Sequence, residues 1–288
     1  DINSILNSQL TKCVTFFTFL FKSKDRRLKL IRRRFMEHYG IRKWAEYVLP
    51  HVMTLYRLRG DGRVLEFKGG GKKSIKSAKR VVAASCIDKD DIIPLSYNED
   101  FMMFRSKPFI RLKKHCYVVT SLSFLIEHMY NSLYFELKQY CIEAGFKSEE
   151  QFRQFYTTDF SHKYMFEGYV SLCAPSNSEL LITGTQADEL KTAAKHKSKE
   201  VVPPDYYMRL PEGCVLFEFK DALSSAKIKE LRNPEEFLKL LQNRFFNIES
   251  HKGVPQILDN VECIQNGTFF YDNPSKSTTG FSSGKFNS

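Results

Sequence analysis

One stretch of the chain limits its possible folds more than any other. Residues 213–220 read GCVLFEFK, and in a β-strand successive side chains point to opposite faces. Glu218 and Lys220 therefore share one face, whereas Phe217 and Phe219 share the other. Because both faces are apolar for most of the stretch, it predicts a central, covered strand. A carboxylate and an ammonium then project together from the C-terminal end of that strand.

The tripeptide Glu-Phe-Lys also occurs earlier, in RVLEFKGGGKK at residues 63–73. There it follows Gly60-Asp61-Gly62, which predicts the turn of a hairpin between two short strands. Asp61, the acid in that turn, is not placed to bring its carboxylate close to that of Glu66. Glu66 and Lys68 are therefore predicted to form an exposed pair on a strand.

Other acidic groups are expected to converge on the second copy. Asp205 follows two prolines and stands thirteen positions before Glu218, which leaves room for one strand and a turn at residues 211–213. Two carboxylates on adjacent strands then meet at one point. Glu167, from a predicted helix, adds a third acid beside Lys220. Such a set serves magnesium-dependent phosphodiester chemistry.

Four motifs in this part of the chain resemble a known family. PPD at 203–205 followed by EFK at 218–220 resembles the PD-(D/E)XK nuclease superfamily, which has the restriction-endonuclease-like fold. MFEGYV (165–170) is similar to its first core helix with a glutamate, and KGVPQILDNVECI (252–264) is similar to its later helix with a glutamine. The motifs occur in the order of that family and cover roughly residues 161–265.

The resemblance implies a metal site. Asp205 and Glu218 would be the ligands of Mg²⁺, for which Mn²⁺ can substitute, with the backbone carbonyl of Phe219 as a third ligand. Magnesium suits such hard oxygen donors and keeps waters and substrate phosphate in its remaining positions.

The resemblance also implies roles for three further residues. Lys220 would position or activate the attacking water and stabilise negative charge on the phosphate. Glu167 would bind the metal through water or orient that water, and Gln256 would hold a phosphate or the lysine.

Each of these residues also has a structural interpretation. Asp205 after two prolines can simply open a turn. Glu218 and Lys220 can be an ion pair, and Gln256 can be a solvated helix residue.

The charge of the chain is unevenly distributed. The net charge is +11, but residues 1–160 hold 29 Lys and Arg against 17 Asp and Glu, which is +12, whereas residues 161–288 are near neutral at −1. A field of that sign favours a polyanion, either nucleic acid or an acidic membrane surface, although a solvated basic face is the simpler interpretation.

The N-terminal region is predicted to be mainly helical. Leu28, Ile31, Phe35 and Tyr39 recur at helical spacing between Arg and Lys residues, so one face packs while the others meet solvent or phosphate.

Two further helical features follow. Residues 121–145 predict one largely buried helix, and Ser148 is expected to cap the next.

We predict an α/β protein with a helical, basic region at residues 1–160 and a nuclease-like domain at 161–288. A subdomain boundary near 81–112 is compatible with the mixed composition there. The second domain is expected to have a restriction-endonuclease-like fold with a mixed central sheet flanked by helices. By their placement, residues 1–160 resemble the helical regions that precede such nuclease domains in bacterial proteins, some of which are implicated in phage defence.

Several classes of protein are disfavoured. The most apolar early stretch, CVTFFTFLF at 13–21, has nine residues, where a membrane span needs about 20, and its basic cluster follows it, unlike a secretory signal. Seven scattered cysteines without a C-x-x-C pair argue against a disulfide framework and a structural zinc site, and favour a reducing cytoplasm. Because the first residue is Asp1, the true start is expected to be missing.

The function expected from these observations is metal-dependent hydrolysis of nucleic acid. More specifically, we expect the protein to be a DNA endonuclease. One alternative is a non-catalytic nucleic-acid-binding module on a degenerate nuclease fold. Another is a scaffold protein that docks on anionic lipid or on an acidic protein.

Overall fold

The chain divides into two units, residues 1–160 and residues 161–288. The computed structural model describes residues 2–58, 64–67, 73–92, 100–193, 202–221, 234–249 and 252–272. The described structure is mixed α/β, with helices at the N-terminus and small sheets.

Helices account for most of the first unit. They are α1 (Ile2–Lys22), α2 (Arg26–Tyr39), α3 (Ala45–Arg57), α4 (Lys73–Ala84), α5 (Lys89–Ile92), α6 (Asp100–Ser106), α7 (Leu122–Asn131), α8 (Leu133–Lys138) and α9 (Glu149–Phe155).

The predicted apolar stripe of α2 is confirmed, because its buried residues are Leu28, Ile31, Phe35 and Tyr39. These side chains meet an aromatic core in which Phe35, Tyr39 and Tyr47 lie with ring centroids 5.0–5.2 Å apart. The apolar side of α2 is thus fully used in packing.

Two predictions for the later helices have different outcomes. Ser148 caps α9 as predicted, since its hydroxyl accepts a hydrogen bond from the backbone N–H of Gln151 at 3.1 Å. The single helix predicted over 121–145 is wrong in detail. It is interrupted at Ser132, where α7 ends and α8 begins, and turns follow after α8.

The first unit also contains a four-stranded sheet in the order β1-β4-β3-β2. Its strands are β1 (Val64–Glu66), β2 (Cys86–Asp88), β3 (Phe109–Lys113) and β4 (Cys116–Val119). β2 and β3 are parallel, and the other pairs are antiparallel.

This sheet corrects the predicted hairpin. β1 pairs with β4, fifty residues along the chain, instead of with a preceding strand. Residues 55–57 belong to α3, because the buried Leu55 continues the helical face that Val48 and His51 begin. The Gly60-Asp61-Gly62 turn and Lys68 lie outside the described residues.

The residues near 81–112 lie within one structural unit. β2 and β3, which lie on either side of residues 93–99, are neighbours in the same sheet. The chain divides between Phe160 and Ser161.

In the second unit, three antiparallel strands follow a helical run. The run consists of a π-helical segment (Tyr156–Glu167), which begins in the first unit, and α10 (Gly168–Cys173). The next elements are β5 (Leu180–Thr183), α11 (Gly184–Ala193), β6 (Tyr206–Leu210), β7 (Gly213–Phe217), α12 (Pro234–Phe245), β8 (Phe246–Asn247), β9 (Lys252–Gly253), α13 (Val254–Gln265) and a 3₁₀ turn (Phe270–Asp272).

This sheet differs from the prediction in two respects. β7 is at one side of the order β5-β6-β7, not in the centre, and its first three residues are exposed. The central position belongs to β6, whose first three residues are buried. All pairings in the described sheet are antiparallel, so it is not mixed.

The last described segment of this unit, TFFYD at 268–272, ends in a 3₁₀ turn. Its rings pack beneath the sheet, because Phe269 and Tyr271 join Ile182, Ala187 and Tyr207 in the core of this unit.

None of the seven cysteines forms a disulfide. Within the described ranges, no helix has both the length and the apolar character needed to cross a bilayer.

Candidate active site

The β6–β7 hairpin brings Asp205 and Glu218 together. Its register pairs Tyr206 with Phe217 and Leu210 with Gly213, around a tight turn at the predicted position. Asp205 immediately precedes β6 and Glu218 immediately follows β7. If the register is continued by one pair beyond Tyr206 and Phe217, these two acids lie opposite each other. The register thus places Asp205 and Glu218 at the ends of adjacent strands.

A short hydrogen bond fixes the carboxylate of Asp205 against the chain that leaves β7. The backbone N–H of Phe219 donates to Oδ2 of Asp205 at 2.6 Å. A charge-assisted bond of this kind is stronger than a neutral one. It orients one oxygen of Asp205 and leaves Oδ1 facing other groups.

Glu218 is nearly buried and holds Lys220. Its side chain is 5% exposed, and Oε1 accepts a hydrogen bond from Nζ of Lys220. Oε2 is buried and has no hydrogen-bond partner among the described residues. Burial raises the pKa of Glu218, and the charge of Asp205 adds to the increase, whereas Lys220 opposes it.

His162 links Asp205 to Glu167. Nε2 of His162 lies 3.0 Å from Oδ1 of Asp205, and Nδ1 lies 3.7 Å from Oε1 of Glu167. The first contact has the distance of an ion pair, although its angle is not that of a straight hydrogen bond. This close approach to Asp205 is the main cause that raises the pKa of His162, partial burial opposes it, and the charges of Glu167 and Glu218 contribute further.

Sequence reasoning missed His162, and the local helix geometry explains why. In an α-helix, residues five apart lie about 140° from each other around the axis, so His162 and Glu167 would not be neighbours. The segment that carries them is π-helical, and its i→i+5 hydrogen bonding places residues five apart one above the other. A search at α-helical spacing therefore could not have paired them.

Glu167, as predicted, reaches the cluster from a helix. Its side chain is 12% exposed, and Oε1 accepts a long hydrogen bond of 3.4 Å from the hydroxyl of Thr185. Burial raises the pKa of Glu167, and the nearby His162 is the first of the groups that lower it. Thr185 was not identified from the sequence, since no strand or helix was predicted around it.

A glycine allows the chain to pass close to Asp205. The N–H of Gly184 donates to the backbone carbonyl of Asp205 at 2.8 Å. A Cβ at position 184 would lie 3.2 Å from that carbonyl oxygen and 3.6 Å from Cε1 of His162. Position 184 therefore has little room for a side chain.

Aromatic packing fixes the backbone between Glu218 and Lys220. The ring of Phe219 stacks on Phe166, with centroids 4.8 Å apart and planes 17° from parallel. This contact connects the end of β7 to the π-helical segment that carries Glu167. The packing positions the peptide whose carbonyl was predicted as a metal ligand.

Gln256 is not part of this cluster. It is 6% exposed, and its amide nitrogen donates to the carbonyl of Pro203 at 2.9 Å. One turn later, Asn260 donates to the carbonyl of Val202 at 2.9 Å. Gln256 is thus not a solvated helix residue, and its amide nitrogen donates to a backbone carbonyl. It anchors the segment that leads into Asp205.

The first Glu-Phe-Lys copy lies elsewhere, in the sheet of the first unit. Glu66 is exposed on β1, in agreement with the prediction, and the N–H of Phe67 donates to the carbonyl of His115 at 3.0 Å. Nothing described there resembles the cluster around Glu218.

The donors that a metal could use are carboxylate oxygens of Asp205 and Glu218, together with an imidazole nitrogen of His162. Within the described part of the chain, no group of three or more His, Cys, Asp or Glu side chains is arranged to hold a metal ion. Protein-family models, curated proteins and solved structures were compared with the chain, and none of them matches it.

Proposed function

We propose that the second unit is a metal-dependent nuclease of the PD-(D/E)XK type, and more specifically a DNA endonuclease. The observation that carries this is the meeting of Asp205 and Glu218 at the ends of β6 and β7, with Lys220 bound to Glu218 and His162 beside Asp205. Two acids can hold a divalent cation and a neighbouring lysine can stabilise charge on a phosphate, so this set suits metal-dependent phosphodiester hydrolysis.

The residues present fit a hard divalent cation. Oε2 of Glu218 is buried without a hydrogen-bond partner among the described residues, and a carboxylate oxygen in that position is stabilised by a cation. Asp205 supplies further oxygens, and the carbonyl of Phe219 is the third candidate ligand. With so few protein ligands, waters and substrate phosphate would complete the coordination, as is usual for Mg²⁺. The bound cation would act as a Lewis acid at the scissile phosphate and lower the pKa of a water.

The side chains around the carboxylates are already fixed in place. Oδ2 of Asp205 is held by the N–H of Phe219, and Oδ1 faces His162. Orientation before substrate arrives lowers the entropic cost of reaching the reactive geometry. Lys220, fixed by Glu218, would place a positive charge where negative charge grows on the phosphate oxygens.

One observation favours a second function. Both oxygens of Asp205 and one oxygen of Glu218 already have partners inside the protein. A network in which three of the four carboxylate oxygens already have protein partners leaves little room for a metal, as in a degenerate nuclease fold. Such a module would bind nucleic acid and leave it uncut.

Cleavage assays distinguish the two functions. Plasmid, linear duplex, single-stranded DNA and RNA are incubated with Mg²⁺, Mn²⁺ or EDTA and the wild type, Asp205→Asn or Lys220→Ala. We expect metal-dependent cutting that each substitution reduces at least about 100-fold, while binding in EDTA changes little.

Glu212→Gln, on the exposed turn of the same hairpin, is the matched control and should cut normally. Full cutting by Asp205→Asn would reject this active site. No cutting by the wild type, together with salt-sensitive binding that Mg²⁺ does not affect, would favour the binding module.

A further inference from the structure

We propose that a basic groove along α2 is the site where the phosphate backbone of nucleic acid binds. This deepens the proposed function and rests on it for the identity of the ligand. The open groove has a volume of about 760 Å³, and its charged lining consists of four cations, Arg26, Lys29, Arg32 and Arg33, and one acid, Glu37, with Leu30 and Met36 among them.

The sequence of α2 divides its charged residues from its apolar ones. Because Leu28, Ile31, Phe35 and Tyr39 are buried, the opposite side of the helix must face outward. Arg26, Lys29 and Arg33 are exposed on it.

The spacing of these three cations suits a nucleic-acid strand. Residues 26, 29 and 33 span seven positions, or about 10 Å along the axis at about 1.5 Å per residue. One strand of duplex DNA carries a phosphate about every 3.4 Å along the helix axis. The three cations are therefore spaced so that they can reach neighbouring phosphates of one strand.

The arginines of α2 differ in how they are paired. Arg27 binds Asp25 at 2.7 Å, and Arg34 binds Glu143 and Glu37, so these two are engaged in structural pairs. By contrast, Arg26 and Lys29 form no ion pair with any described residue. Nε of Arg33 is 3.9 Å from Oε1 of Glu37, and both side chains are more than half exposed. An exposed ion pair of this kind contributes little to stability. The groove side retains charge for a ligand.

Two contacts shape the groove. Arg32 donates to the carbonyl of Phe21 at 3.1 Å and lies 4.9 Å above its ring, which fixes one wall. At the other end Gly40, which also lines the groove, has a φ of 59°. A Cβ there would collide with the guanidinium of Arg80 from α4. A cation from a second helix therefore stands at the end of the stripe.

The geometry favours nucleic acid over a lipid surface. An interfacial helix binds a membrane by inserting its apolar face, but the apolar face of α2 is buried in the aromatic core. A line of exposed cations with a few apolar side chains among them suits a narrow polyanion such as nucleic acid. The +12 charge of residues 1–160 would steer such a ligand toward this unit.

Binding is tested in EDTA, where cleavage cannot interfere. Fluorescence anisotropy of labelled single-stranded and duplex 30-mers is measured over a series of salt concentrations. The variant is Arg26→Gln/Lys29→Gln/Arg33→Gln, and the control is Lys113→Gln/Lys114→Gln/Lys147→Gln, which removes the same charge from exposed positions of the same unit.

We expect the groove variant to bind at least about 10-fold more weakly at low salt. The association constant falls as salt rises, and the steepness of log K against log salt should be smaller by about 2–3 in this variant. Each phosphate that the protein no longer neutralises reduces that steepness by roughly one. The control should change both quantities much less. Circular dichroism checks that both variants are folded.

Three outcomes would overturn the groove as the binding site. These are equal losses in both triple variants, no binding by the wild type, and oligonucleotide binding unaffected by the groove variant. Vesicles of neutral lipid with and without phosphatidylserine are tested in parallel. A groove-dependent loss confined to the anionic vesicles would mean lipid docking instead. Failure of cleavage with Mg²⁺ leaves the binding result intact, so the two hypotheses can fail separately.

Discussion

The two Glu-Phe-Lys copies have the same sequence and opposite surroundings. In the first copy the central N–H donates to a backbone carbonyl, that of His115, and Glu66 is exposed on an ordinary sheet. In the second copy the central N–H donates to the carboxylate of Asp205, and the side chain of Glu218 is 5% exposed. The tripeptide itself therefore carries no chemistry. What matters is whether the fold brings other acids to it.

The largest expected effect compares the two glutamates directly. Glu218→Gln should reduce metal-dependent cleavage at least about 100-fold, because it removes the charge of a proposed metal ligand. Glu66→Gln makes the same chemical change and should leave the rate within twofold. Single-turnover cleavage of a labelled duplex gives both rates. Equal losses in the two variants would break the comparison.

The next comparison concerns the pKa values of histidines in the two units. His51 and His128 of the first unit are 1% and 3% exposed, with ring centroids 5.6 Å apart. Burial lowers the pKa of His51 to about 4 and that of His128 to about 3, and the neighbouring His51 adds to the second shift. His162 of the second unit has its pKa raised by Asp205.

The first unit should therefore lose stability in acid. Below pH 6.5, the ordinary pKa of histidine, the unfolded chain takes up protons that the folded unit cannot. The stabilisation is complete above that pH and declines as pH falls toward about 4 and then about 3, by up to about 1.4 kcal/mol per pH unit for each histidine.

Urea unfolding at several pH values, with hydrogen exchange to assign the first unit, measures this decline. His128→Gln should make it shallower, whereas His38→Gln, at an exposed position, should not. An unchanged slope in His128→Gln would contradict the expectation.

The smallest expected effect concerns the helix that anchors the segment before Asp205, next to the second copy. The segment before Asp205 depends on Gln256, whose loss leaves the buried carbonyl of Pro203 without that donor. Gln256→Ala should lower the free energy of unfolding of the second unit by about 1–3 kcal/mol. Gln265→Ala, on the exposed end of the same helix, should change it by less than about 0.5 kcal/mol. A Gln256→Ala protein as stable as the wild type would show that this anchor is dispensable.

Local patterns in the sequence predicted the parts of the fold that depend on local physics. The helical spacing of Leu28, Ile31, Phe35 and Tyr39 identified the buried side of α2, and the turn at residues 211–213 correctly paired β6 with β7. Both follow from periodicity and turn chemistry within a few residues.

The failures involve distant partners or unusual helix geometry. β1 was assigned to a hairpin, because nothing near Val64 indicates that its partner is β4. Alternating apolar residues made β7 look central, yet the edge position is set by tertiary pairing. His162 was missed because only π-helical hydrogen bonding aligns it with Glu167.

The hairpin register also limits how a chain of this kind can evolve. Side chains of a strand alternate between faces, so inserting or deleting one residue within β6 or β7 would turn every later side chain to the opposite side. Asp205 and Glu218 lie at the open end of five matched pairs, and such a slip would part them. Changes of length are therefore tolerable in the exposed turn between the strands, whereas within the strands they would erase the cluster in a single step.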